Sequence, residues 1–190
     1  MKHGKTLDKK ICSIRRYGLP LFGIALTSFI AVFQGAYGDD FSKKSAEATV
    51  VTITASSNLF PSEDSSSPKY LMEENKVIWH ASKPSKYPEY VEIVYSKPTQ
   101  VNKLGIRAQG DSPNGNEHTR APKDFVFQGS NDKVKWIDLL KVKDNIYKQG
   151  GEWKEWNVKN KKEYVYYRIY ITYSGNPDLL TIQQIRLVKE

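Results

Sequence analysis

The feature that most constrains this chain is the stretch from residue 122 to residue 140, which reads PKDFVFQGSNDKVKWIDLL. Phe125 and Phe127 alternate onto one face, as a half-buried strand requires. The segment from Gly129 to Asp132 predicts a turn, because glycine tolerates positive φ and Ser, Asn and Asp side chains bond nearby backbone groups. An apolar run resumes at Trp136. The stretch therefore predicts two antiparallel strands joined by a polar turn.

The rest of the chain offers more short strands of this kind. The clearest alternation runs from Tyr164 to Tyr173, where alternate residues from Val165 to Ile171 share one face. One helical turn is expected near residues 69–74, and no segment suits the crossover helix of a parallel sheet. About eight strands separated by turn-rich loops predict an all-β antiparallel sandwich. The predicted strands begin at Val50 and then span 90–95, 101–108, 125–130, 135–140, 153–158, 164–172 and 181–188.

The first 38 residues are predicted to be a signal peptide rather than part of the fold. Six lysines and arginines precede an uncharged apolar run from Leu19 to Phe33, which is shorter than the about 20 residues of a membrane span. Ala36 and Gly38 are the small residues that a signal peptidase requires, so cleavage before Asp39 is expected, with an uncleaved anchor as the alternative. Residues 39–47 then form a linker and residues 48–190 one domain, in a secreted or periplasmic protein.

Charge and cysteine content narrow the partners of this domain. The net charge of +8 comes mostly from the leader, beyond which 23 basic and 20 acidic residues remain. A nucleic-acid partner is not expected, because proteins that bind the phosphate backbone carry a concentrated basic surface. The single cysteine, Cys12, lies in the leader, so the domain has no thiol for a disulfide, a nucleophile or a metal.

Several short motifs, in a shared order, resemble the discoidin family, also called the coagulation factor 5/8 C-terminal domain family. Family 32 carbohydrate-binding modules are closely similar to it. The resemblance covers about residues 50 to 187 and implies a jelly roll of the galactose-binding type, made of two packed antiparallel sheets. Besides the opening stretch, the matching motifs are ITASS at 53–57, Trp79-His80, RAPKD at 120–124, YRI at 167–169 and IRL at 185–187.

The resemblance implies a binding module that holds a glycan or polysaccharide with loops at one end of the sandwich. Aromatic rings pack on the C–H face of a sugar, while polar side chains fix its hydroxyls. The long polar loop from Gln109 to Arg120 is a candidate for this role, although a solvated loop explains its composition equally well. The predicted ligand-binding residues are His80, Arg107, Asn114, Glu117, His118, Arg120, Tyr173 and Asn176.

The alternative is an adhesion module that recognises a protein or a membrane surface. Discoidin domains of animal proteins bind phospholipid through hydrophobic spikes, and Leu59-Phe60-Pro61 is a candidate for such a spike or for an anchor that holds its loop to the sandwich. Membrane binding is not expected, because a nearly neutral domain is only weakly attracted to anionic lipid. A cell-surface protein remains open as a partner.

Neither catalysis nor a cofactor is expected. Only His80 and His118 follow the leader, and neither lies in a metal or nucleophile motif. Many family members hold a structural calcium ion with a loop before the Trp and a Glu in the final strand. Here that loop contains Glu73 and Glu74, but Gln184 takes the place of the final Glu. Because calcium favours charged oxygen ligands, a degenerate calcium site is the most that we expect, and no metal ligand is assigned.

Overall fold

A computed structural model of the protein describes residues 47–61, 66–74 and 77–189, so the predicted leader and almost all of the predicted linker lie outside the described residues. Within these residues, two complete 3-10 helices, Pro68–Tyr70 and Glu117–Arg120, accompany the strands. In chain order the strands are β1 Val50–Ala55, β2 Trp79–His80, β3 Glu89–Thr99, β4 Val101–Arg107, β5 Pro122–Ser130, β6 Ile137–Val142, β7 Trp153–Asn157, β8 Tyr164–Ser174, β9 Thr181–Ile182 and β10 Gln184–Lys189.

The strands form antiparallel sheets, which confirms the predicted all-β sandwich. A five-stranded sheet has the order β1-β3-β8-β5-β6, a three-stranded sheet has the order β10-β4-β7, and β2 pairs with β9. The described part has ten strands rather than about eight, because β2 is an extra two-residue strand and the predicted last strand is divided at Gln183. No helix within the described ranges is long and apolar enough to cross a membrane.

The core lies between the two larger sheets. Phe125 and Phe127 are buried, as their alternation predicts, and the Phe125 ring meets the edge of Trp156 with centroids 5.2 Å apart. This contact joins β5 of the large sheet to β7 of the small one. Trp79 is fully buried, and its indole Nε1 donates a hydrogen bond to the Ser57 carbonyl at 2.9 Å. Trp79 is thus a core residue and does not offer its ring to a ligand.

The turn after β5 differs from the prediction in one respect. Gly129 does not supply a positive φ, since it lies within β5, and the residue with the left-handed backbone is Lys133, with φ of 61°. Gly129 is required for space, because a Cβ there would lie 2.5 Å from the ring of Tyr164. The next strand starts at Ile137 instead of residue 135, because the Asp132 carboxylate accepts hydrogen bonds from the amides of residues 134 and 135 and so prolongs the turn.

Candidate functional site

Three chain segments that carry predicted ligand residues meet at one end of the sandwich. His80 in β2 pairs with Thr181 in β9, and the Ala81 amide donates to the Leu180 carbonyl at 3.0 Å. On the other side, the Gly175 amide donates to the Ala121 carbonyl at 3.3 Å. The segment after β2, the loop before β5 and the loop after β8 are therefore tied to one another by backbone hydrogen bonds.

His80 presents an imidazole with an unused nitrogen. The side chain is half-buried, and its Nδ1 is a buried atom with no hydrogen-bond partner among the described residues. Burial, and then the positive charge of Arg120, lower the pKa of His80 below its ordinary value of 6.5. The imidazole is therefore neutral at pH 7, so one nitrogen donates and the other accepts.

Arg120 is a half-buried cation with its hydrogen-bonding capacity unused. It ends the 3-10 helix Glu117–Arg120, and its guanidinium makes no hydrogen bond or ion pair with the described part of the chain. Its charge nevertheless acts on both His80 and Glu117: it adds to the effect of burial in lowering the pKa of His80, and to the effect of the Ser112 hydrogen bonds in lowering the pKa of Glu117. A guanidinium has five N–H donors in a fixed plane, so Arg120 is prepared to bind oxygen atoms of a ligand.

Phe60 completes this group, and it was not among the predicted ligand residues. Its ring is 40% exposed and meets the His80 ring at an interplanar angle of 74°, with centroids 6.0 Å apart. The Asn58 carboxamide oxygen accepts hydrogen bonds from the Phe60 amide and from the Ser66 hydroxyl, which shapes the loop. From the sequence, Leu59-Phe60-Pro61 was predicted to be either a membrane-binding spike or an anchor for its loop. No local sequence signal indicates that the Phe60 ring contacts His80. We call Phe60, His80 and Arg120 the principal site.

Two other predicted ligand residues are occupied within their own loop. His118 Nδ1 lies 2.8 Å from Asp111 Oδ2, and the His118 amide also donates to Asp111. Glu117 accepts hydrogen bonds from the backbone amide and the hydroxyl of Ser112, and these bonds lower the pKa of the Glu117 carboxyl. Asn114 stands exposed at the tip of the same loop. These contacts give the loop a defined shape, which in turn sets the position of Arg120.

Tyr173 and Asn176 lie at the same end of the sandwich with different roles. Tyr173 is 40% exposed, packs on Tyr87 with ring centroids 5.9 Å apart, and has Lys123 Nζ 6.0 Å from its ring centroid. The Asn176 carboxamide oxygen accepts from the amides of residues 178 and 179, at 3.0 and 3.2 Å. Tyr173 therefore offers part of a ring to a ligand, whereas Asn176 uses its oxygen to form a turn.

Arg107 is held on the small sheet. Its Nε donates a hydrogen bond to the Gly151 carbonyl at 3.1 Å, and its strand neighbours are Gln184 and Trp153. This guanidinium is thus partly committed to the loop before β7, in contrast to that of Arg120.

The described residues at the implied calcium position do not fit a calcium ion. The Gln184 side chain is buried, and its Nε2 donates a hydrogen bond to the Glu73 carbonyl at 2.9 Å. An N–H donor thus faces the carbonyl oxygen that a cation would otherwise approach. Nowhere in residues 47–61, 66–74 and 77–189 do three or more His, Cys, Asp or Glu side chains gather into a metal-binding group.

Comparison with known proteins agrees with the fold. A sequence profile described as the F5/8 type C domain matches residues 52–183. A search of curated protein sequences returned no match.

Solved structures of several carbohydrate-binding modules are similar. CpGH89CBM32-5 from Clostridium perfringens, in complex with GalNAc-β-1,3-galactose, has a TM-score of 0.58 and 14% identity over 72% of this chain and 93% of that one. Chitosan-binding module 1 of a Paenibacillus sp. IK-5 chitosanase/glucanase has a TM-score of 0.55 and 15% identity, over 72% of this chain and 93% of that one. The CBM32 of AlyQ, in complex with 4,5-unsaturated mannuronic acid, has a TM-score of 0.56 and 13% identity, over 74% of this chain and 95% of that one. At these identities the likeness establishes the fold.

Proposed function

This chain belongs to the F5/8 type C domain family, and from that premise we propose that it is a non-catalytic module that binds carbohydrate at the principal site. The observation that carries the proposal is that, among the described residues, neither the Arg120 guanidinium nor the Nδ1 of His80 has a hydrogen-bond partner. Burial, and then the charge of Arg120, lower the pKa of this imidazole, so the two groups act on each other. A buried nitrogen such as His80 Nδ1 costs free energy while it lacks a hydrogen-bond partner, and a ligand hydroxyl would supply one.

The chemistry of the three side chains matches a sugar. Arg120 donates hydrogen bonds to hydroxyl oxygens, and neutral His80 donates one bond and accepts another from a hydroxyl group. The exposed part of the Phe60 ring offers an apolar surface to the C–H groups of a pyranose. Tyr173 is a candidate for a second ring contact, because it lies one residue before the end of β8, at the start of the loop that is hydrogen-bonded to Ala121.

The similar structures support this choice of ligand class. The Clostridium module is in complex with an N-acetylgalactosamine disaccharide, the Paenibacillus module is described as chitosan-binding, and the AlyQ module is in complex with an unsaturated mannuronic acid. The three ligands differ, so they support a glycan in general and leave the sugar to be identified by experiment. The predicted leader adds the proposal that the protein acts outside the cytoplasm, in a secreted or periplasmic form.

A glycan array on the purified protein, followed by calorimetry with the best ligand, tests the proposal. We expect Arg120→Ala to weaken binding by about tenfold or more, the loss expected for a charge-assisted hydrogen bond. The matched control is Arg186→Ala, because Arg186 is an exposed arginine on β10 that stacks on Trp153, and its removal should leave sugar affinity unchanged. Absence of any glycan ligand, or equal affinity of Arg120→Ala and the parent protein, would overturn the proposal.

The adhesion alternative is tested with the same protein. Co-sedimentation with liposomes of anionic phospholipid should leave the protein in solution if the site binds sugars. Sedimentation that is lost in Phe60→Ala would instead favour the membrane-surface alternative.

A further inference from the structure

A cavity of about 190 Å³ is lined in part by the 3-10 helix that carries Arg120. We call it the side cavity, and its lining includes His118, Thr119, Ala121, Lys123 and Ile146. It is smaller than the roughly 300–1,000 Å³ of sites that enclose a drug-sized ligand, so it suits one sugar substituent rather than an oligosaccharide. The principal site and the side cavity share the helix Glu117–Arg120, which supplies Arg120 to one and His118 and Thr119 to the other.

The walls of the side cavity are apolar in one part and polar in another. Ala121 is buried, Ile146 is 66% exposed, and the hydroxyl of buried Tyr147 is turned to the Ile106 carbonyl, so these three residues offer apolar surface. Lys123 and Asn145 offer polar groups. Asn145 Nδ2 already donates to the Pro122 carbonyl, which leaves its amide oxygen as an acceptor.

The two basic side chains that line the side cavity already contact carboxylates. His118 is paired with Asp111 at 2.8 Å, and Lys123 is paired with Asp144 at 3.5 Å. Asp111 also accepts a hydrogen bond from the Gly150 amide. An entering anion would compete with Asp144 for Lys123, and an entering ammonium group would be repelled by Lys123. Since burial of an unpaired charge is costly, a neutral group is favoured over either ion.

We propose that the side cavity is a second subsite, which binds a neutral N-acyl group such as the acetamido substituent of an amino sugar. The acyl methyl packs against Ala121 and Ile146, and the acyl carbonyl accepts a hydrogen bond from Lys123. Lys123 can donate here because its exposed ion pair with Asp144 leaves ammonium protons free, as an ammonium group has three donors. This inference rests on the proposed function, since it names the class of sugar that the module prefers.

Three small probes test the side cavity without any sugar. N-methylacetamide, sodium acetate and methylammonium chloride are titrated in turn into the isotope-labelled protein, and backbone amide shifts are followed by NMR. We expect N-methylacetamide to change the backbone amide chemical shifts of Thr119, Ile146 and Gly175 in a saturable way. We expect sodium acetate and methylammonium chloride to leave these chemical shifts unchanged. An equal or stronger response to acetate or to methylammonium would overturn the assignment to a neutral acyl group.

Sugar pairs that differ only in N-acetylation provide the second test. N-acetylglucosamine and N-acetylgalactosamine should bind about tenfold more tightly than glucosamine and galactosamine, as one buried methyl group and one hydrogen bond imply. Ile146→Asp should abolish this preference, because it adds a carboxylate beside the acyl methyl. Val134→Asp is the matched control, since Val134 is 85% exposed on the turn before β6.

The outcomes separate the two proposals. Sugar binding without any preference for the N-acetylated member, or with the preference intact in Ile146→Asp, overturns the second subsite alone. If no sugar binds but N-methylacetamide still changes the three amide chemical shifts in a saturable way, the proposed function is wrong. The acyl specificity of the side cavity is then still supported.

Discussion

The ring of Phe60 stands edge-on against the imidazole of His80, with centroids 6.0 Å apart. This contact joins a loop residue to a strand residue twenty positions later and builds the principal site on the rigid pair β2-β9. It also covers one side of an imidazole that is already half-buried.

The first prediction concerns the effect of acid on His80. Burial, then Arg120, lower the pKa of His80 in the folded protein below 6.5. The unfolded chain therefore binds a proton more readily than the folded protein, so the stability linked to His80 is present above pH 6.5 and is lost as pH falls through the lowered pKa. We expect the melting temperature to fall over this range, and we expect His80→Gln to flatten the fall, as measured by circular dichroism. Parallel pH curves for the two proteins would contradict the prediction.

The second prediction concerns Gly129 in β5. A Cβ at this position would lie 2.5 Å from the ring of Tyr164, which is a buried residue. We expect Gly129→Ala to lower the free energy of unfolding by about 1–3 kcal/mol, the usual cost of overpacking a core. Gly110→Ala is the control, because a Cβ there meets only Gln183 Oε1, at 3.9 Å, and should change stability little. Chemical denaturation measures both, and equal stability of the two variants would show that Tyr164 moves aside freely.

The third prediction concerns Gln184 and calcium. Its side chain links β10 to the Glu73 carbonyl directly, so the loop from 66 to 74 is attached to the sandwich without a metal. We expect Gln184→Leu to lower the free energy of unfolding by about 1 kcal/mol, because the Glu73 carbonyl loses the hydrogen bond that Gln184 donates. The parent protein should melt at the same temperature in calcium chloride and in EDTA. A higher melting temperature in calcium would show that a metal binds despite the amide.

Sequence predicted the strands well because their signals are local. Alternation in β8 correctly separates buried Tyr167 and Ile169 from the outward Arg168, whose guanidinium lies over the Trp136 ring at 4.0 Å. The predicted role of Gly129, a positive φ in the turn, was wrong because the residue that requires a glycine there, Tyr164, belongs to β8 and is distant in sequence. Only the pairing of strands brings the two together.

The candidate site was less predictable from sequence. The family resemblance drew attention to His80 and the polar composition of the long loop to Arg120. The structure brings them near enough for Arg120, after burial, to lower the pKa of His80. Phe60 was not identified, because its contact with His80 depends on the path of a loop. Composition cannot show whether a polar loop residue faces a ligand or its own loop, and the hydrogen bonds of Glu117 to Ser112 illustrate this limit.

The last prediction concerns Gly175, which lies against Thr119 in the 3-10 helix that carries Arg120. A Cβ at residue 175 would lie 2.3 Å from the Thr119 carbonyl oxygen, so Gly175→Ala must displace backbone rather than a flexible side chain. We expect a several-fold loss of affinity for a sugar without an acyl group, since this readout depends on Arg120 and not on the side cavity. The melting temperature should change less than in Gly129→Ala, because Gly175 is exposed and lies outside the core. Gly110→Ala again serves as the control, and unchanged affinity in Gly175→Ala would mean that the Thr119 carbonyl does not determine where Arg120 lies.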